Sequence, residues 1–144
     1  MKLRVPWIAV LLVLFGLGLS ATALAQKARI DTYHQSLQKK MSAMVQSGQK
    51  CTVNMNDSTD GNGMDAEIRL TMGIKEFEDF APIAALEAAA IPHKFPAVNI
   101  YLRHEGTGRV GRINFRDAEP LAAKYVAGGR EAAIADIKNA ITWH

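Results

Sequence analysis

The chain has one cysteine in 144 residues, which excludes any intrachain disulfide. Cys51 shares the parity of Val53 and Met55 in Cys51-Thr52-Val53-Asn54-Met55, the place of a small core side chain. In an oxidising compartment the alternative for a lone thiol is a disulfide between two copies.

Catalytic and metal-binding motifs are missing as well. His34, His93, His104 and His144 form no H-x-x-x-H pair, and there is no C-x-x-C, so the usual zinc spacings are absent. No G-x-S-x-G marks a nucleophile elbow. Cys51 and His104 would form a thiol–imidazole pair only if the fold brought them together. These absences point away from an enzyme and toward a binding protein.

The chain also lacks a large charge excess. Its formal net charge is +3, from 17 basic and 14 acidic residues. Lys2 and Arg4 lie in a segment expected to be removed, and without them the balance is about +1. Binding to nucleic acid through overall charge is therefore not expected.

What the chain does have begins with an export address. Lys2 and Arg4 form a positive start, and Trp7 to Leu19 is uncharged and apolar. Ala23-Leu24-Ala25 has the small-x-small pattern of a cleavage site, which makes residues 1–25 a signal peptide and Gln26 the mature N-terminus. The alternative is an uncleaved anchor, because the uncharged run approaches the length that spans a bilayer. No cysteine stands at the cleavage point, where residue 26 is Gln, so lipid attachment there is not expected. Residues 26–144 are expected to form a single domain in the periplasm or outside the cell.

Within that domain the spacing of apolar residues alternates between two periods. Ile30, Tyr33, Leu37, Met41 and Met44 recur at helical spacing over Lys27 to Gln46. Lys50 to Met55 and Ala66 to Met72 alternate as strands, joined by a turn-rich loop at 56–65. Lys75 to Ala90 returns to helical spacing. Because proline lacks an N–H and clashes with the preceding turn, the main helix there is expected to open near Pro82. Val98, Ile100 and Leu102 alternate with Asn99, Tyr101 and Arg103, and after Glu105-Gly106-Thr107-Gly108 a return strand is expected through Arg116. Asp117 then caps a short helix, and Arg130 to Thr142 is the last. The predicted architecture is α+β: a two-layer sandwich with a four-stranded antiparallel sheet of two hairpins, helices on one face, in the order α-ββ-α-ββ-α-α.

Two stretches carry candidate chemistry. The second hairpin places Arg103, Arg112 and Arg116 on a solvent face, with Tyr101 beside Arg103 and His104 and Arg109 near the tip. Guanidinium forks grip carboxylates in two-point fashion, and Arg with Tyr is typical of interface anchors. The expected partner is an acidic protein or anionic glycan of the cell envelope; a homodimer is left open. The other stretch reads as a degenerate calcium loop, with Asn56, Ser58, Asp60 and Glu67 at ligand positions and Gly61 at the turn. Asn and Ser replace stronger ligands, and strands flank it where helices belong. No other cofactor is expected. A second functional reading is a carrier for a small apolar ligand, with Phe77, Phe80, Phe95 and Phe115 lining a pocket between sheet and helices.

Overall fold

A computed structural model describes residues 7–144, with side chains from Ser20 onward. The elements are α1 (Trp7–Met44), β1 (Lys50–Asp57), β2 (Met64–Thr71), α2 (Ile74–Ala90), β3 (Ala97–His104), β4 (Val110–Asn114), α3 (Phe115–Val126), α4 (Arg130–Ala140) and β5 (Thr142–Trp143). The fold is mixed α+β, with four helices and one five-stranded sheet in the order β1-β2-β3-β4-β5.

The two predicted hairpins are present: β1 pairs antiparallel with β2, and β3 with β4. The wholly antiparallel, four-stranded sheet is corrected on two counts. First, β2 and β3 lie side by side and run parallel. The helix between them explains this. Seventeen residues at about 1.5 Å each bring the chain back along roughly the length of an eight-residue strand, so β3 starts where β2 started. Second, Thr142–Trp143 adds a fifth strand against β4, tied by reciprocal bonds between Val110 and His144 of 3.1 and 2.8 Å. Two residues are too few for a periodic signal.

Helix boundaries also differ from expectation. α2 runs unbroken through Pro82. The bond lost is the one Glu78 C=O would accept, and Glu78 is exposed, so water reaches that carbonyl. The same helix buries Phe77, Ala81, Ala84, Ala85, Leu86 and Ala88, which holds it together across the proline. α3 starts at Phe115, so Arg116 lies on a helix and not on the return strand. Phe115 keeps the buried parity of Ile113, which hid the change of backbone at Asn114.

α1 continues through Ala23–Ala25 without a break. Residues 1–6, on which the positive start of the expected export signal falls, lie outside the described residues. Ala21 to Arg29 are exposed, and the helix joins the core at Ile30 and Tyr33. Among the described residues, no helix is long and apolar enough to cross a membrane.

The core forms where the helices meet one sheet face. Val53, Ile68, Leu70, Ile100, Leu102 and Ile113 face Leu37, Met41, Phe77, Leu86, Phe115 and Ile137. Residues of the opposite parity form a polar face. Four helices also meet at one buried carboxylate. Glu87 of α2 takes Lys40 of α1 at 2.5 Å and the Tyr125 hydroxyl of α3 at 3.1 Å. Arg130 of α4 donates to the same hydroxyl at 2.6 Å and lies over the Tyr125 ring.

Candidate functional site

The polar face is built in rows by the strand register. One row crosses all five strands: Asn54, Glu67, Tyr101, Arg112, Thr142. The next holds Thr52, Arg69, Arg103 and Val110. Beyond the Tyr101 row lie the Asn56–Asp65 and Asn99–Asn114 pairs, on either side of a register shift between Met64 and Ala66. A two-residue side-chain period on neighbouring strands makes these rows, so each charge sits within reach of the next strand.

Acid lies beneath and base above. Asp65 and Glu67 are only 5% and 9% exposed. The Asp65 carboxylate accepts from the Asn99 backbone and side-chain N–H groups, both at 3.0 Å. Asn99 in turn accepts from Arg112 Nε at 3.2 Å through its side-chain oxygen. Glu67 is bonded to Arg69, which also lies 3.7 Å from Glu105. The hydrogen bond and the charge of Glu67 push the Arg69 guanidinium above its ordinary pKa. Glu67 lies 4.0 Å from Arg103 Nε, which is enclosed and has no hydrogen-bond partner among the described residues. The guanidinium side chains remain accessible: 44% for Arg69 and 38% for Arg103, with Arg112 exposed. A polar recess of about 290 Å³ opens beside Arg112, bordered by Asn114, Asp117, Thr142 and His144.

Three of the six residues singled out in the sequence, Tyr101, Arg103 and Arg112, share this face. The other three do not. His104 follows the parity of Ile100 and Leu102 inward and is 4% exposed. Its Nε2 donates to Met72 C=O at 2.6 Å, its Nδ1 accepts from Thr107 N–H at 3.0 Å, and its ring packs on Phe77. It closes the hairpin tip. Arg109 turns to the helix side, paired with Glu78 and stacked on Trp143. Arg116 is exposed on α3. Asp65, Arg69 and Asn99, not among those six, complete the face. The polar parity of Arg69 and Asn99 is visible in the sequence, but Asp65 falls in the predicted loop and the adjacency of β2 and β3 carries no local signal.

The other candidates are dispersed. Cys51 and His104 are both in register with Leu70, one strand away on each side, so two strand spacings separate them, about 10 Å. Burial pushes the Cys51 thiol up to about 11. In the candidate calcium loop, Asp60 accepts from Ser58 Oγ at 2.8 Å and Asn62 N–H at 2.9 Å, and these bonds hold its carboxyl below the usual range. Glu67 is engaged by Arg69, and Asn56 is paired across from Asp65. Among the described residues, no three His, Cys, Asp or Glu side chains gather to hold a metal ion. The four phenylalanines do not converge. Phe77 packs on Trp143, Phe95 and Phe115 on Tyr33 and His93, and Phe80 borders a groove with Met44, Met72 and Ile83.

No family model, curated protein or solved structure matches this chain.

Proposed function

We propose that this protein is an exported, non-enzymatic binding module that docks an acidic protein partner through the open face of its sheet. Tyr101 is the central anchor, and Arg103 and Arg112 flank it. The observation that carries this reading is the layering of charge. The carboxylates of Asp65 and Glu67 are buried, whereas the guanidinium groups above them are accessible. A partner therefore meets cations already oriented from below.

Such orientation matters because a long side chain loses rotamer freedom on binding, and one fixed in advance loses less. Arg112 is aimed by Asn99, itself fixed by Asp65, and the recess beside it suits an acidic side chain from the partner. Charge complementarity of this kind speeds association and sets specificity more than it adds raw affinity.

The test is a pull-down from envelope extract with the protein and its Arg103→Gln, Arg112→Glu double variant. The proposal expects an acidic protein retained by the first, eluting with salt, and lost by the second while the variant's circular dichroism is unchanged. Equal retention by a folded double variant overturns it.

A further inference from the structure

The outer edge of β1 is half covered. A sheet edge presents backbone N–H and C=O groups on every second residue, and proteins cover or pair them. Along β1 the residues whose backbone groups point away from β2 are Cys51, Val53, Met55 and Asp57, because Val53 turns both of its backbone groups to α1. Gln38 Oε1 accepts from Val53 N–H at 2.7 Å, and Gln38 Nε2 donates to Cys51 C=O at 3.0 Å. His34 Nε2 reaches Val53 C=O at 2.7 Å. Two side chains of α1 thus replace a neighbouring strand as far as Val53.

Past Val53 this cover stops. The helix and strand diverge, and a groove of about 630 Å³ opens between them. Its helix wall runs from Ala23 through Gln26, Lys27, Ile30 and Asp31 to His34, all but Ala23 lying beyond the expected cleavage point, and its strand wall is Asn54 to Asp57, with Met64 at its side. Among the described residues, the hydrogen bonds found along this edge end at Val53, so the main-chain groups of Met55 and Asp57 face the groove.

We propose that this groove receives an extended peptide segment of a partner protein, added as a short strand antiparallel or parallel to β1. Backbone groups two residues apart, in a slot beside a strand, are what another extended backbone pairs with. Ile30, Met55 and Met64 offer an apolar seat for one inward side chain, and methionines adapt to its shape. Asp57 shares the Met55 side of the strand and Asp31 borders the same groove from α1, so against the single Lys27 they favour a basic residue two positions along from the apolar one, on the same side of the peptide. The groove lies on the edge opposite β5, so it is separate from Arg112 and does not depend on the docking face.

The experiment uses the full chain in detergent and three fluorescent Thr-rich hexapeptides in which a Val is followed two residues on by Lys, Ser or Glu, so that both side chains face the groove. Binding is read by anisotropy, and the Met55 and Asp57 amides are followed by hydrogen exchange in NMR. The proposal expects the Lys peptide to bind tightest and to slow exchange at both amides at least about tenfold, since those groups become paired. An N-methylated Lys peptide, lacking the backbone donors, should bind at least about tenfold more weakly. Met55→Pro removes the outward N–H without touching the bonds to β2 and should do the same. Should that variant unfold, Ile30→Trp, which fills the groove, replaces it. No binding by any of the three peptides, equal binding by the N-methylated peptide, or unchanged exchange at Met55 overturns the proposal.

Discussion

Gln38 stands beside Val53 as a surrogate strand: one amide accepts the Val53 N–H and donates to the carbonyl two residues back. The first helix is thereby locked to the edge of the sheet by directed bonds as well as by its apolar stripe. Gln38→Ala removes both bonds at a half-buried edge, and the expected loss is about 1–3 kcal/mol. Gln38→Glu keeps the acceptor but sets a carboxylate against the Cys51 carbonyl, and it should not restore the loss. Urea denaturation of the three proteins checks this.

The Tyr125–Glu87 contact joins helices in the same way. Tyr125→Phe leaves Glu87 with Lys40 alone and strands Arg130, and it should cost about 1 kcal/mol. Glu87→Ala should cost more, because it leaves the Tyr125 hydroxyl without its acceptor and opens a gap among four helices. Thermal melts of both variants give the comparison.

Gly111 holds the fifth strand in place by having no side chain. A Cβ there would lie 2.7 Å from the Trp143 ring and 2.8 Å from Ile141 Cγ2. Gly111→Val should therefore push β5 off β4 and cost about 1–3 kcal/mol. Loss of protection at the Val110 and His144 amides in hydrogen exchange would show it.

How much of this was readable in the sequence follows from the range of each interaction. The hairpins were legible, since Ile68 and Leu70, or Ile100 and Leu102, alternate with polar residues. The stripe Tyr33-Leu37-Met41 announced its helix. The parallel pairing of β2 and β3 was not legible, because it depends on where α2 delivers the chain. That pairing decides the site: it sets Glu67 beside Tyr101 and Arg69 beside Arg103, turning an arginine-rich hairpin into a layered charge surface. Parity alone would have sent His104 inward with Leu102. Arg109 follows Gly111 to the helix side, where Glu78 and Trp143 wait from distant parts of the chain.

Alkali should unfold the protein through one buried acid, Tyr33, and one half-buried acid, Cys51. Burial pushes the Cys51 thiol up to about 11, and burial together with the Glu119 charge holds the Tyr33 hydroxyl above its ordinary value. A raised folded-state pKa means that the neutral form is favoured in the folded chain. Stability is then full below the unfolded values, near about 9 and 10, and falls as pH rises through and beyond them. Tyr33 also donates to Ala88 C=O at 2.7 Å, a bond the phenolate cannot make. Tyr33 should ionise only as the fold is lost, seen by absorbance of the phenolate against circular dichroism, and Tyr33→Phe should remove that step. The Cys51 thiol should react with iodoacetamide at least about tenfold more slowly at pH 8 in the folded protein than in the denatured chain.

The docking face is tested most directly by a photo-cross-linking amino acid placed in cells at Tyr101 and, separately, at exposed Ala135 on the helical side. The account predicts a discrete adduct with an acidic protein from position 101, abolished by Arg112→Glu, and none from position 135. An adduct from position 135 alone, or one from position 101 that survives Arg112→Glu, would contradict it.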